Sequence, residues 1–80
     1  MLNQTWEKID GKKLRRQFTF RTFPEAVTFV DKIVPIAEAH DHHPDIAISY
    51  NKVTIELTTH KQDGLTEKDF TLAAEIEKLV

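Results

Sequence analysis

The run Val53-Thr54-Ile55-Glu56-Leu57-Thr58 alternates apolar and polar residues without a break. A period of two is the pattern of a strand with one face in a core and the other in water. Such a strand needs partners along its edges and a cover for its apolar face. The rest of the chain can be read as those partners and that cover. Upstream, Leu14, Phe18 and Phe20 fall on one face and Arg15, Gln17 and Thr19 on the other, with Arg16 intruding on the apolar side. Asp10-Gly11 before this run is a hairpin signal, because both residues tolerate the positive φ of a tight turn. It joins the run to a weaker strand over about Thr5–Ile9, around Trp6. Ile46, Ile48 and Tyr50 alternate with Ala47 and Ser49, and Tyr50-Asn51-Lys52 forms a short turn into the Val53 strand.

Two segments have helical spacing instead. Thr22 caps the first, Glu25 completes a capping box, and Pro24 sits in the first turn, where its missing N–H does no harm. Ala26, Val27, Val30, Ile33, Val34 and Ala37 form its apolar stripe. Pro35 costs roughly 3 kcal/mol in a regular helix. The pattern resumes after it, so a kink is expected rather than a stop. The helix should end by His42 or His43, because the residue before Pro44 is biased away from helical angles. After the break at Asp63-Gly64, Thr66 caps a last helix with Phe70, Ala73, Ala74, Ile76, Leu79 and Val80 on its apolar side. The order ββαββα predicts an α+β fold of two layers: a four-stranded antiparallel sheet with both helices on the face bearing Phe18, Ile55 and Leu57.

The 80 residues are expected to form one domain over 1–80. A chain this short buries only about 60% of its unfolded surface, which favours a homodimer or homotetramer. With no cysteine, neither a disulfide framework nor a thiolate zinc site is available. No secretory signal and no membrane span are visible, so a cytoplasmic location is expected. The net charge of −2 gives no reason to expect nucleic acid. Lys12, Lys13, Arg15 and Arg16 cluster on a hairpin turn and strand face, and read as solvated surface.

Chemistry concentrates in Glu38-Ala-His40-Asp41-His42-His43-Pro44, which holds three of the four histidines. The fourth, His60, follows the alternating run and by parity continues its polar face. Imidazole can give and take a proton near neutral pH, which suits general acid–base catalysis. The end of the first helix, with Asp41 and Glu38 nearby, favours the imidazolium form of His42. Glu38 lies four residues before His42 and shares its face if the helix reaches that far. An isolated surface histidine such as His40 is ordinarily only a solvated side chain. Zinc is a further reading, but the spacing matches no common zinc pattern. Asp69, at the start of the last helix, ordinarily just complements its positive end.

Glu38, His42-His43-Pro44, Tyr50, His60 and Asp69, with the flanks "DHHPDI", "YNKVTIELTTH" and "GLTEKDFTLA", resemble the pterin-4a-carbinolamine dehydratase family. The resemblance runs from about Trp6 to Leu79. It implies an enzyme with no metal or cofactor of its own, which removes water from a 4a-hydroxytetrahydropterin to give quinonoid dihydropterin. His42 and His60 would share the acid and base roles, and His43 would bind and orient the pterin. Asp41, Thr58 and Thr59 would line the pocket, and Glu38 and Asp69 would hold imidazoles in the right tautomer. The resemblance also implies a functional link to an aromatic amino acid hydroxylase. Two other functions resemble it in part: a dimerisation or coactivator module, and a pterin protein of molybdenum-cofactor metabolism. Two features depart from the family. A further segment usually precedes the tryptophan, which bears on oligomer contacts. Pro35 replaces an ordinary residue in the helix that carries Glu38 and Asp41.

Overall fold

The computed structural model describes residues 6–80, so the expected start of the first strand at Thr5 lies outside the described residues. The elements are β1 (Glu7–Ile9), β2 (Lys13–Thr19), α1 (Phe23–His40), β3 (Asp45–Ser49), β4 (Lys52–Leu57) and α2 (Glu67–Glu77), with a single 3₁₀ turn at His60–Gln62. The fold is the α+β arrangement the patterning predicts. The sheet order is β1-β2-β4-β3 and every neighbouring pair is antiparallel.

The strand register follows from the alternation. Leu14 lies opposite Leu57, Arg16 opposite Ile55 and Phe18 opposite Val53, so the apolar residues of β2 and β4 share a face. Ile46 and Ile48 of β3 extend that face beside Ile55 and Val53. Both helices cover it: Ala26, Phe29 and Ile33 of α1 and Leu72, Ala73 and Ile76 of α2 form one core with Leu14, Phe18, Val53, Ile55 and Leu57. Burying a side chain such as Ile55 or Leu72 contributes roughly 1.5–3 kcal/mol. Phe29 joins the aromatic side of this core, with ring centroids 4.9 Å from Phe18 and 5.0 Å from Phe20.

Turn chemistry holds the hairpins. Asp10 and Gly11 take φ of 54° and 68° in the β1–β2 turn. The β3–β4 turn needs positive φ at Tyr50, which ends β3 one residue before the sequence pattern does. Asn51 anchors this turn by donating to the Phe20 carbonyl at 2.8 Å.

The helices depart from expectation in detail. Thr22 caps α1 as expected, accepting from the Glu25 N–H at 3.2 Å. The Glu25 carboxylate reaches back one residue further, to the Arg21 N–H. The helix runs through Pro35 and ends at His40, short of His42. Asp41 adopts the left-handed region there (φ 50°), which a short polar side chain tolerates. Its N–H bonds the Glu38 carbonyl, and the His42 N–H reaches back to the Ala37 carbonyl at 3.1 Å. This is a Schellman ending. The stripes are also rotated. In α1, Phe29 is buried and Val34 is exposed; in α2, Asp69, Leu72, Ala73 and Ile76 are buried while Phe70 and Ala74 face outward. No helix among the described residues is long and apolar enough to cross a membrane.

Candidate active site

Three pieces of chain meet where α1 ends, β4 ends and α2 begins. Asp41, His42 and His43 come from the first, Thr58, Thr59, His60 and Lys61 from the second, and Lys68 from the third. They line one open cleft of about 280 Å³. The three histidines of the sequence motif therefore converge, and His40, on the last turn of α1, stays outside.

His60 arrives differently from the parity argument. β4 stops at Leu57, and Thr59 makes an isolated bridge with Gly64. Between them the chain tightens into the 3₁₀ turn headed by His60, closed by Asp63 at φ 51°. A strand position cannot be extrapolated past that bridge. Tyr50 lies at the far tip of the β3–β4 hairpin, roughly 20 Å away at ~3.3 Å per strand residue, and does not line the cleft.

His42 is held twice. The Schellman bond fixes its backbone, and its Nε2 lies 2.6 Å from Asp69 Oδ1. Because a carboxylate only accepts, Nε2 carries the proton and Nδ1 is the nitrogen left for proton transfer. Glu38 and His42 would share a helix face only if α1 reached His42, and it ends at His40. Glu38 Oε2 instead meets His43 Nε2 at 2.6 Å, and both of those side chains are well exposed. Each carboxylate thus serves one imidazole: Asp69 behind His42, Glu38 beside His43.

Asp69 is fully buried, the only charged side chain that is so among the described residues. Its Oδ2 accepts from Thr59 Oγ1 at 2.7 Å and from the Thr66 N–H at 3.0 Å. The second bond is half of a capping box at the start of α2, so Asp69 does complement the helix end and also reaches the imidazole. Burial by itself raises its pKa. The bonds from His42, the Thr66 amide and Thr59, with the charge of His42, outweigh it and hold the carboxyl below its ordinary value near 3.8. Thr58 spends its hydroxyl hydrogen on the Lys12 carbonyl at 2.7 Å.

Sequence reasoning missed Lys61 and Lys68, which line the cleft, and the link from Thr66 to the site. The Thr66-x-x-Asp69 spacing of a capping box was the available signal for the latter. Among the described residues no group of three or more His, Asp or Glu side chains is placed to hold a metal ion.

Residues 1–79 match the family model described as pterin 4 alpha carbinolamine dehydratase. A protein of Picosynechococcus sp., named provisionally as a pterin-4-alpha-carbinolamine dehydratase, is 58% identical over 74 residues, 92% of this chain and 79% of its own length. One from Sulfolobus acidocaldarius with the same provisional name is 51% identical, covering 88% of this chain and 77% of its own. Among solved structures, a transcriptional coactivator/pterin dehydratase from Brucella melitensis superimposes with a TM-score of 0.87 at 36% identity, over 92% of this chain and 80% of the other. A pterin dehydratase-like protein identified as a RuBisCO assembly factor of the alpha-carboxysome shares the fold, with a TM-score of 0.80 at 24% identity over 95% and 89% of the two chains.

Proposed function

This chain belongs to the pterin 4 alpha carbinolamine dehydratase family, and from that premise we propose that it dehydrates a 4a-hydroxytetrahydropterin by histidine general acid–base catalysis. The observation that carries the reading is the meeting of His42, His43 and His60 on one cleft, with a buried carboxylate behind His42.

The reaction breaks the C4a–oxygen bond. The oxygen leaves with an added proton as water, a ring N–H gives up its proton, and the nitrogen's electrons close the new double bond. One acid and one base suffice, and both must be recharged by solvent. His42, with Nε2 tied to Asp69, offers Nδ1 for one of these transfers. His60, exposed on its 3₁₀ turn, serves the other. His43, braced by Glu38, orients the ring, and Asp41 and Thr58 border it. Asp41 is an acceptor suited to the donor edge of an aminopyrimidine.

The test is turnover on freshly generated 4a-hydroxytetrahydropterin, with the uncatalysed rate subtracted. His42→Ala and His60→Ala should each lower kcat by about 10²–10⁴, the usual worth of a positioned proton transfer. His43→Ala should act mainly on KM. Turnover untouched by both kcat variants would exclude the acid–base assignment. No turnover above the uncatalysed rate in the unaltered protein would instead favour a binding module of the kind that the coactivator name of the Brucella relative describes.

A further inference from the structure

The resemblance makes Thr59 a substrate contact, and its place on the cleft wall is consistent with one. The hydrogen bonds give it another task. Thr59 has one hydroxyl hydrogen, and a buried carboxylate 2.7 Å away can only accept it. Thr59 Oγ1 also lies 2.8 Å from Thr66 Oγ1. With its own hydrogen spent, Thr59 must accept there and Thr66 must donate. Thr66 Oγ1 in turn accepts from the Lys68 N–H at 3.3 Å. Every donor in the series is therefore fixed. The Lys68 amide donates to Thr66, Thr66 to Thr59, and Thr59 to Asp69 Oδ2, while Asp69 Oδ1 takes the proton of His42 Nε2.

We propose that Thr59 and Thr66 are positioning residues, which fix the orientation of the Asp69 carboxylate and through it the Nε2–H tautomer of His42. The N-terminus of α2 is thereby the far anchor of the imidazole. A one-way series of hydrogen bonds in a low-dielectric site polarises each successive donor. Thr66 is not on the cleft wall and has no route to substrate except through this series. The proposal rests on the acid–base reading for its kinetic consequence only. The geometry it asserts belongs to the free protein.

Two experiments separate these layers. In the free protein, carboxyl-carbon NMR follows the titration of Asp69, and imidazole-nitrogen NMR follows the tautomer of His42. The charged or titratable groups around the pair are Asp41, His43, His60, Lys61 and Lys68, and all remain in the variants. Thr59→Val should raise the Asp69 pKa and admit the second His42 tautomer. Thr66→Val should do the same to a smaller extent, and Thr59→Ser and Thr66→Ser should restore both signals. Thr22→Val removes the comparable cap of α1 and controls for lost stability; it should leave both signals unchanged. In turnover, Thr59→Val should lower kcat about tenfold, the scale of one hydrogen bond to a charged group, with KM held. The double Thr59→Val, Thr66→Val variant should lose less than the product of the single losses.

A raised KM with unchanged kcat and an unmoved Asp69 titration would make Thr59 a direct substrate contact and overturn the proposal. Should Thr59→Val fail to fold, the Thr66 pair alone decides, because signals equal in Thr66→Val and Thr66→Ser overturn it as well. A protein that dehydrates no pterin but shows the NMR shifts keeps the positioning series and sinks the functional reading instead.

Discussion

Arg16 stands between Leu14 and Phe18 on the covered face of β2, and Asp69 heads the buried stripe of α2. Each places a charge where the pattern asks for an apolar side chain, and the structure accommodates them differently. The Arg16 guanidinium lies 4.4 Å from the Phe18 ring centroid and meets Glu77 Oε2 at 3.0 Å, where Glu77 is 42% exposed. Its Nε finds no acceptor among the described residues. A long side chain can lay its stem along the core and carry its charge to the rim. Asp69 is too short for that. Both its oxygens are engaged inside the protein, by His42, Thr59 and the Thr66 amide. The lesson is about reach: the arginine leaves the core to find its partner, whereas the aspartate had partners assembled around it from three segments of chain.

The contrast makes Asp69 the sensitive one. Asp69→Asn keeps the volume but can offer an N–H to His42, which permits the opposite tautomer. Turnover should fall by about 10²–10⁴ with the fold retained. Asp69→Ala also strips the Thr66 amide and Thr59 of their acceptor and should cost roughly 3 kcal/mol in denaturant unfolding.

Acid sharpens the same point. The folded Asp69 carboxyl titrates below its unfolded value near 3.8. Between the two values the unfolded chain binds more protons, so stability falls as pH drops. The contribution of Asp69 is complete above the unfolded pKa and lost as pH falls through the folded one. Denaturant unfolding at a series of pH values should show a shallower acid loss in Asp69→Asn than in the unaltered protein.

Arg16→Met should change stability by no more than about 1 kcal/mol in either direction, since a half-solvated pair is replaced by apolar packing. Turnover should not change. A loss of activity like that of Asp69→Asn would erase the distinction drawn between the two charges. Smallest of all, Lys12→Ala removes an exposed 3.5 Å pair with Asp63 and should cost less than about 0.5 kcal/mol.

The strands were legible because period two is a direct image of a half-buried sheet: Leu14, Phe18, Val53, Ile55 and Leu57 all point where the alternation puts them. The helix stripes were less so. Asp69 opens the buried face of α2, and a reading that starts from the first apolar residue, Phe70, turns the helix by one position and misses Leu72. The histidine cluster was visible as composition. Its pairing was not, because the side chain that meets His42 depends on where α1 stops. The Asp41 turn ends it at His40, within the limit that Pro44 sets, and hands Glu38 to His43. His60 was found by motif but lay beyond the reach of parity, since β4 stops at Leu57 and the chain closes through the Thr59–Gly64 bridge into a 3₁₀ turn.

The His42–Asp69 bond joins residues 27 positions apart and crosses from the end of one helix to the start of the other. No fragment of the chain holds the cleft by itself. If α2 lifts away while the sheet and α1 stay formed, His42 loses its carboxylate, the 3₁₀ turn loses its brace and the histidines no longer share a wall. Such partial openings cost less than complete unfolding. Slow hydrogen exchange in β2 and β4 would therefore say nothing about whether the site is intact. The amides at the start of α2 would report it, and the lifetime of the intact cleft is set by the docking of that one helix rather than by the durability of the sheet.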